Sequence, residues 1–524
     1  MKPLNTKILC LVLTALLIYP VLSQKMTILV HPFTNNGALE YSWISAGMTA
    51  SVISDLCTIR DIDVISDMDR KKAIEEIRLG LSGLLDEEKT VMAGKMLGAN
   101  IIFTGSYQVS GDKIRVNASL INVEKGSTER SVKIDGAIGD IFGLQDEIVF
   151  TLMAETEKLQ LANIKQVRIS DEDKMAIIQS ERPELSAYEL YSIGLEIKDE
   201  DPHQALDYFK QAVQIQPDYA EALYQAGSTA GISLDLFEEG FKYLDRVNKL
   251  YSARGETNTS GYAELMKCIG MVYLKKGKFD SALDYYSRAR NIMNSLDLGE
   301  SWRYAFIIMN IGMVYSTKGQ HDQALTFYSE SRKICEILDL QSTNLYANLL
   351  IAIGNGYSED NQLDKALQYY SKSKEIKDNF KLQNTDSYAL LMTNIGIVYQ
   401  QKKKPDKALE YFLTAKLIKD NLKLNNTLEY AHLMQCIGTV YAMKKQYHEA
   451  MGYYNKAFEI FDLLKMQESV MYGNLFFNLA VLYEEQGENK SAGEYFRKAY
   501  DTFTKAGYSG KLKENALEKS KRLK

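Results

Sequence analysis

The chain has 524 residues, 46% of them hydrophobic and 25% charged, the balance of a folded globular protein, which excludes a disordered one. That length is more than one hydrophobic core serves, so at least two folding units are expected. A net charge of −6, with no stretch of clustered Lys and Arg interleaved with aromatics, excludes a nucleic-acid groove.

Residues 1–23 read as a signal peptide. Lys2 and Lys7 precede an apolar run from Ile8 to Leu22, and Val21 and Ser23 supply the short residues expected before a cleavage at Gln24. The run is shorter than the ~20 residues of a spanning helix. Cys10 lies too early in it to carry a lipid anchor. The expected location is therefore outside the cytoplasm, in the periplasm or cell envelope. Of the remaining cysteines, Cys268 and Cys436 share one repeat position four units apart, so Cys57, Cys268, Cys335 and Cys436 are expected as buried free thiols. Five scattered His residues and the lack of a Cys-x-x-Cys offer no metal site, and no cofactor is expected.

The segment 24–160 alternates strand and helix patterns. Strands are expected at Thr27 to Val30, Asp63 to Ser66, Ile101 to Gln108, Lys113 to Val123 and Glu129 to Ile134. Helices are expected through Trp43, Ile44, Met48, Val52 and Leu56, over Lys71 to Ile77, over Asp86 to Leu97 and over Ile141 to Lys158. His31 at the end of the first strand is alone, with no second ligand at metal spacing. Gly80-Leu81-Ser82-Gly83 falls short of a nucleophile elbow.

This order resembles the exported bacterial α/β domains found at the amino end of the translocation protein TolB and in curli-secretion and flagellar outer-membrane assembly proteins. The residues that carry the resemblance are Ile28-Leu29-Val30-His31-Pro32-Phe33, Gly47 followed by a helix, Leu97-Gly98-Ala99-Asn100, Gly105-Ser106-Tyr107 and Ile141-Phe142-Gly143-Leu144-Gln145-Asp146-Glu147-Ile148. It implies a noncatalytic domain that docks to an envelope assembly. As in some relatives, such a domain can oligomerise.

After a linker helix at 161–185, the pattern from 186 to 513 is helical throughout, with about eight units. A first unit around Gly194, Ala205, Phe209 and Pro217 and a looser one with Gly227 and Gly240 lead into an unbroken period of 42: Ala282, Ala324, Ala366, Ala408, Ala450, Ala492. Ile-Gly-x-x-Tyr recurs with Gly270, Gly312, Gly354, Gly396 and Gly438, and Leu479-Ala480 closes the series. A fixed period without insertion means one helical hairpin stacked on copies of itself. Small residues at the Gly and Ala positions let two antiparallel helices approach, with a Tyr or Phe filling the space beside them.

These positions are similar to the signature of the tetratricopeptide repeat, and the 42-residue unit resembles the long-helix repeats of kinesin light chains and bacterial signalling adaptors. The extra residues are expected to lengthen the second helix, through Ile292 and Leu296 to Leu298 in one unit. The fold class is thus an α/β amino-terminal domain followed by an all-α superhelical solenoid. The resemblance implies binding of a protein or peptide partner on the concave face of the first helices. Candidates there are Asn310, Asn394 and Asn478 as an amide rail, with Lys267, Met271, Met309, Met313, Asn355, Thr393, Gln400, Gln435 and Thr439. The competing role for the Asn residues is bridging neighbouring helices. Residues 514–524, rich in Lys, read as a polar cap, with membrane-surface association the minority role. The function expected is a noncatalytic adaptor; the alternatives are an input subunit for a separate kinase and, last, an enzyme.

Overall fold

The computed structural model describes residues 25–59, 61–65, 70–71, 73–74, 77, 86–156, 158–159, 161, 164, 166–180 and 182–523. The leader expected at 1–23 lies outside the described residues. The described residues fall into two compact units: one takes those between 25 and 73, between 86 and 314 and between 330 and 340, and the other takes 74 and 77, 315–329 and 341–523.

In the first unit, strands β1 (Met26–Val30), β2 (Thr34–Asn35), β3 (Ile62–Val64), β4 (Ile101–Ser110), β5 (Lys113–Asn122) and β6 (Ser127–Ala137) form one sheet of order β3-β1-β4-β5-β6, with β2 pairing β4. β3, β1 and β4 are parallel, with Ile28 opposite both Val64 and Ile101, whereas β4, β5 and β6 are antiparallel. Gly111, at φ 64°, makes the β4–β5 turn. Along β5, buried Ile114, Val116, Ala118 and Leu120 alternate with Lys113, Arg115 and Asn117 in solvent, so one sheet face carries the core. Helix α1 (Trp43–Thr58) packs on β1 and β3, α2 (Asp86–Leu97) on β4, and α3 (Ile141–Thr156) on β5 and β6. Each strand and helix expected between 86 and 158 is present. Of the helix expected over 71–77, residues 71, 73, 74 and 77 are described and helical.

Helix α4 (Asp171–Ile178), closed by a Ser170/Asp173 capping box, lies where the linker helix is expected. Helical pairs follow: α5 (Leu185–Ile197) with α6 (Pro202–Ile215), then α7 (Ala220–Ser228) with α8 (Phe237–Arg254). A π turn at Thr229–Ser233 ends α7, and Gly231 and Gly240 meet there so closely that a Cβ on Gly240 would lie 2.8 Å from the Gly231 Cα.

From there 16-residue first helices alternate with 17-residue second helices. The first helices are α9 (Ser260–Lys275), α11 (Trp302–Thr317), α13 (Asn344–Glu359), α15 (Asp386–Gln401), α17 (Leu428–Met443) and α19 (Val470–Glu485). The second helices are α10 (Phe279–Ser295), α12 (His321–Ile337), α14 (Leu363–Asn379), α16 (Pro405–Asn421), α18 (Tyr447–Leu463) and α20 (Asn489–Lys505).

The period is enforced by local chemistry. Each first helix begins at a Ser or Thr whose hydroxyl accepts from a Tyr amide three residues on: Thr259, Ser301, Thr343, Thr385, Thr427 and Ser469. Each pair is clasped by stacked rings, as in Tyr399–Tyr411 with centroids 5.5 Å apart and Tyr441–Tyr453 with centroids 5.4 Å apart. Ala282, Ala324, Ala366, Ala408, Ala450 and Ala492 are fully buried. A Cβ on Gly270 would meet Tyr286 at 3.0 Å, on Gly354 Tyr370 at 2.4 Å, on Gly396 Phe412 at 2.5 Å and on Gly438 Tyr454 at 2.7 Å. Gly312 is likewise buried.

One expectation is corrected. The second helix does not run to Leu298: α10 stops at Ser295, Asp297 turns left-handed at φ 55°, and the Leu298 amide donates to the Met293 carbonyl. Asp339, Lys381, Lys423 and Lys465 repeat that turn. The four described cysteines are free; Cys57 is half-buried and the other three are buried. Helix α21 (Lys511–Arg522) buries Ala516 in one cluster with Ala480, Ala492 and Phe496. Its Lys519 and Arg522 bond the two carboxylate oxygens of Glu484 at 2.6 and 2.9 Å.

Candidate functional site

The first helices bury most of their surface and leave a narrow stripe. On α15 it runs through Leu390, Asn394, Ile397 and Gln401; on α19 it runs through Met471, Asn474, Asn478, Val481 and Glu485. This three- and four-residue step is one helix face. Asn394, Asn478, Met271, Met313, Asn355 and Thr439 lie on the stripe, with Met313 44% exposed. Four other candidates do not, because one residue back along a helix is a rotation of about 100°. Thr393 and Gln435 are buried, Met309 is half-buried, and Lys267 is buried with its ammonium 2.6 Å from Glu264 and over the Phe306 ring. Gln400 is half-buried at the edge of the stripe. The stripe positions missed from sequence include Glu264, Phe306, Asn348, Leu390, His432 and Asn474, which share the 42-residue step.

The amides are bridges. Asn394 Nδ2 donates to Asn355 Oδ1 at 3.0 Å, and the same oxygen accepts from the Tyr370 hydroxyl at 2.7 Å. Two units on, Asn478 Nδ2 donates to Thr439 Oγ1 at 3.3 Å, beside the Tyr454 hydroxyl at 3.2 Å. The residue equivalent to these acceptors before Asn310 is Met271, which offers no comparable oxygen. Asn310 is 4% exposed and its Nδ2 has no hydrogen-bond partner among the described residues. Asn394 and Asn478 thus bridge neighbouring repeats, the competing role expected for them, while Asn310 does not.

A second site lies wholly within the first unit. Tyr188 of α5 joins the repeats to the sheet domain: its hydroxyl accepts from Gln145 Nε2 at 2.9 Å and lies 3.3 Å from Ser51 Oγ, and its ring meets Trp43 and Phe142 edge-on. Burial pushes that phenol up to about 12. Farther along, Arg303 of α11 donates to the Val64 carbonyl at 2.9 Å and lies 3.0 Å from Cys57 Sγ.

Between these contacts two adjoining cavities open. The larger, about 440 Å³, lies between α1 and the stripe of α5, α7 and α9, with Glu196, Glu221, Glu264, Arg70 and Lys71 in its wall. Burial raises the Glu196 carboxyl; burial would also raise that of Glu264, but Lys267 and the Tyr224 hydroxyl hold it below its ordinary value. The smaller, about 210 Å³, is walled by Tyr188, Tyr191, Tyr219 and Tyr251 and by Asp55. Burial lifts the Asp55 carboxyl to about 7 against the pull of Arg182, helped by Asp146 and Glu221. Asp55 is 4% exposed, and its Oδ2 has no hydrogen-bond partner among the described residues. Nothing in the sequence marks this residue, an isolated Asp on an amphipathic helix.

Among the described residues, no group of three or more His, Cys, Asp or Glu could hold a metal ion, and no helix is long and apolar enough to cross a membrane. Residues 303–379, 387–462 and 429–505 match the family model of the tetratricopeptide repeat. These segments are tetratricopeptide repeats. The chain therefore joins a mixed α/β region with a six-stranded sheet to a long tetratricopeptide array.

Solved structures that this chain matches include the APC/C hetero-tetramer Cut9-Hcn1, at 16% identity and TM-score 0.43, covering 74% of this chain and 63% of that one. The apo form of RapI matches at 18% identity and TM-score 0.38, covering 47% of this chain and 99% of that one. BtubC (BKLC) from P. vanneervenii matches at 18% identity and TM-score 0.36, covering 42% and 88%. A curated protein of Rhizobium meliloti (strain 1021) that carries an adenylate cyclase name is 28% identical over 135 residues. That match takes in 26% of this chain, which spans 21% of the length of that relative.

Proposed function

We propose that the chain is a noncatalytic adaptor, exported to the cell envelope, whose tetratricopeptide array holds a protein or peptide partner on the first-helix stripe. Tetratricopeptide repeats are scaffolds for protein interaction, and the observation that carries the reading is the stripe itself. Within the second unit four successive first helices keep the same narrow face in solvent, mixing apolar Leu390, Ile397 and Met443 with polar Asn394 and Thr439. Weak contacts summed over such a length give affinity without a deep pocket. Export rests on the leader composition, and envelope docking on the resemblance of 24–160 to exported α/β domains. Catalysis is not part of this reading.

The test is a crosslinked pull-down from envelope fractions with the mature full-length chain beside a Leu390→Glu/Ile397→Lys double variant. Leu390 is 44% exposed and Ile397 is partly buried beside the repeat core, so an unchanged circular dichroism spectrum of the variant is required before the captures are compared. Enrichment of one protein by the parent chain and its loss in the variant is the expected result. Equal capture by both chains would move the partner off this face.

A further inference from the structure

The smaller cavity holds a buried acidic group that scaffolding alone leaves unused. We propose that it is a receptor pocket for one basic side chain, arginine or lysine, of the bound partner, with the Asp55 carboxylate as its counter-ion. The proposal rests on the adaptor reading for the nature of the partner, but not for the chemistry of the pocket.

A carboxylate that is 4% exposed, with one oxygen lacking any hydrogen-bond partner among the described residues, is costly unless a cation or donor reaches it. Two arginines stand in the wall, and both are already engaged: Arg182 bonds Asp146 and the Ile177 carbonyl, and Arg254 has an interaction of its own. The other walls suit a cation that has shed its water. Four tyrosines, Tyr188, Tyr191, Tyr219 and Tyr251, line the cavity, and aromatic faces attract ammonium and guanidinium groups. With Asp55, the acidic Asp218, Glu221 and Glu256 outnumber Arg182 and Arg254 in the lining and bias its potential toward positive ligands.

Size selects the occupant. About 210 Å³ is many times the room that one water needs and suits a side chain on its stem, while a folded element would not enter. The cavity shares Ala50, Ser54, Tyr191, Ala220, Glu221 and Tyr251 with the larger one of about 440 Å³, which gives the main chain of a peptide a place beside it. The lining comes from α1 and from the first repeats together, so the sheet domain and the array form the pocket jointly.

The experiment titrates the full-length chain with three small probes and one peptide, followed by nuclear magnetic resonance. The probes are ethylguanidinium, n-butylammonium and the neutral N-ethylurea; the peptide is a blocked Gly-Gly-Arg-Gly-Gly. Ethylguanidinium and n-butylammonium should bind and N-ethylurea should not. Asp55→Asn should weaken both cations by at least about tenfold, as expected for loss of a buried counter-ion. Glu221→Gln and Glu256→Gln, on exposed residues that leave the fold intact, should weaken them by roughly two- to fivefold. The peptide should bind about tenfold more tightly than ethylguanidinium.

Equal binding of N-ethylurea, unchanged cation affinity in a folded Asp55→Asn chain, or no cation binding by the parent chain would overturn the pocket. A peptide no tighter than ethylguanidinium would overturn the peptide side chain as its ligand. If the cations fail while the envelope pull-down still enriches a partner that the stripe variant loses, the pocket fails and the adaptor reading stands.

Discussion

At the scale of single residues, burial decides what side chains do here. Asp55 shows it most directly. Its carboxyl is raised by burial from 3.8 to about 7, with Arg182 lowering it and Asp146 and Glu221 raising it further. The folded chain therefore holds this proton more tightly than the unfolded chain does. The stability so gained is complete below the unfolded value near 3.8 and is lost as pH rises through about 7. Asp55→Asn keeps the shape and removes the titration. The variant should lose to the parent chain or match it at pH 4, and gain on it steadily from pH 5 to 8, by at most about 4 kcal/mol given ~1.4 kcal/mol per pKa unit. Urea midpoints across that range check it, and parallel curves would mean that Asp55 stays charged in the folded chain. The same dominance of burial separates what was legible from what was not. The Gly and Ala positions were readable because a small residue at a fixed period has one explanation, close packing. Lys267, Thr393 and Gln435 lie off the stripe because a periodic pattern names the first helix as the lining one without saying which of two adjacent positions faces solvent, and their helices bury that position.

At the scale of elements, the strands and helix pairs were legible because alternation and helical periodicity state which face is buried, whereas the order of the strands in the sheet was not. Features that leave no such trace were not. β2 is two residues long, and the π turn after α7 has an ordinary helical composition. The ends of the second helices were also hidden, because the left-handed residue that ends them is Asp or Lys in five repeats, at 297, 339, 381, 423 and 465, with Gly only at 255 and 507. A residue with a Cβ loses about 1–2 kcal/mol in that conformation, and part of the relief on changing it to Gly is returned to the flexible unfolded chain. Lys423, at φ 59°, is exposed, so Lys423→Gly should raise stability by about 0.5–1 kcal/mol. Gly277→Ala, at φ 73° with open space around its Cβ, should lower it by a similar amount through the same backbone effect. Thermal unfolding of the two variants is the check, and a loss on Lys423→Gly would show that the lysine side chain contributes more than its backbone costs.

At the scale of the molecule, the sequence suggested a sheet domain tethered to an array by a linker, whereas the first compact unit contains the sheet together with the early repeats. The chain's two tryptophans, Trp43 and Trp302, sit on either side of that arrangement. Trp43 of α1 lies edge-on to Tyr188 of α5 with centroids 6.0 Å apart, and Trp302 begins α11 next to Arg303, which holds the end of β3. If the sheet and the early repeats form one cooperative body, both indoles must lose their environment together. The variants Trp302→Phe and Trp43→Phe each leave one reporter, and their fluorescence should give coincident urea midpoints once corrected for the small cost of each change. Tyr188→Ala should then lower both midpoints together, by about 3–5 kcal/mol in stability, because it removes a fully buried ring from the shared core. A midpoint for Trp43 that falls while that for Trp302 holds would mean that the sheet folds on its own. The cation pocket, whose walls come from both parts, would then be present only while the two stay docked.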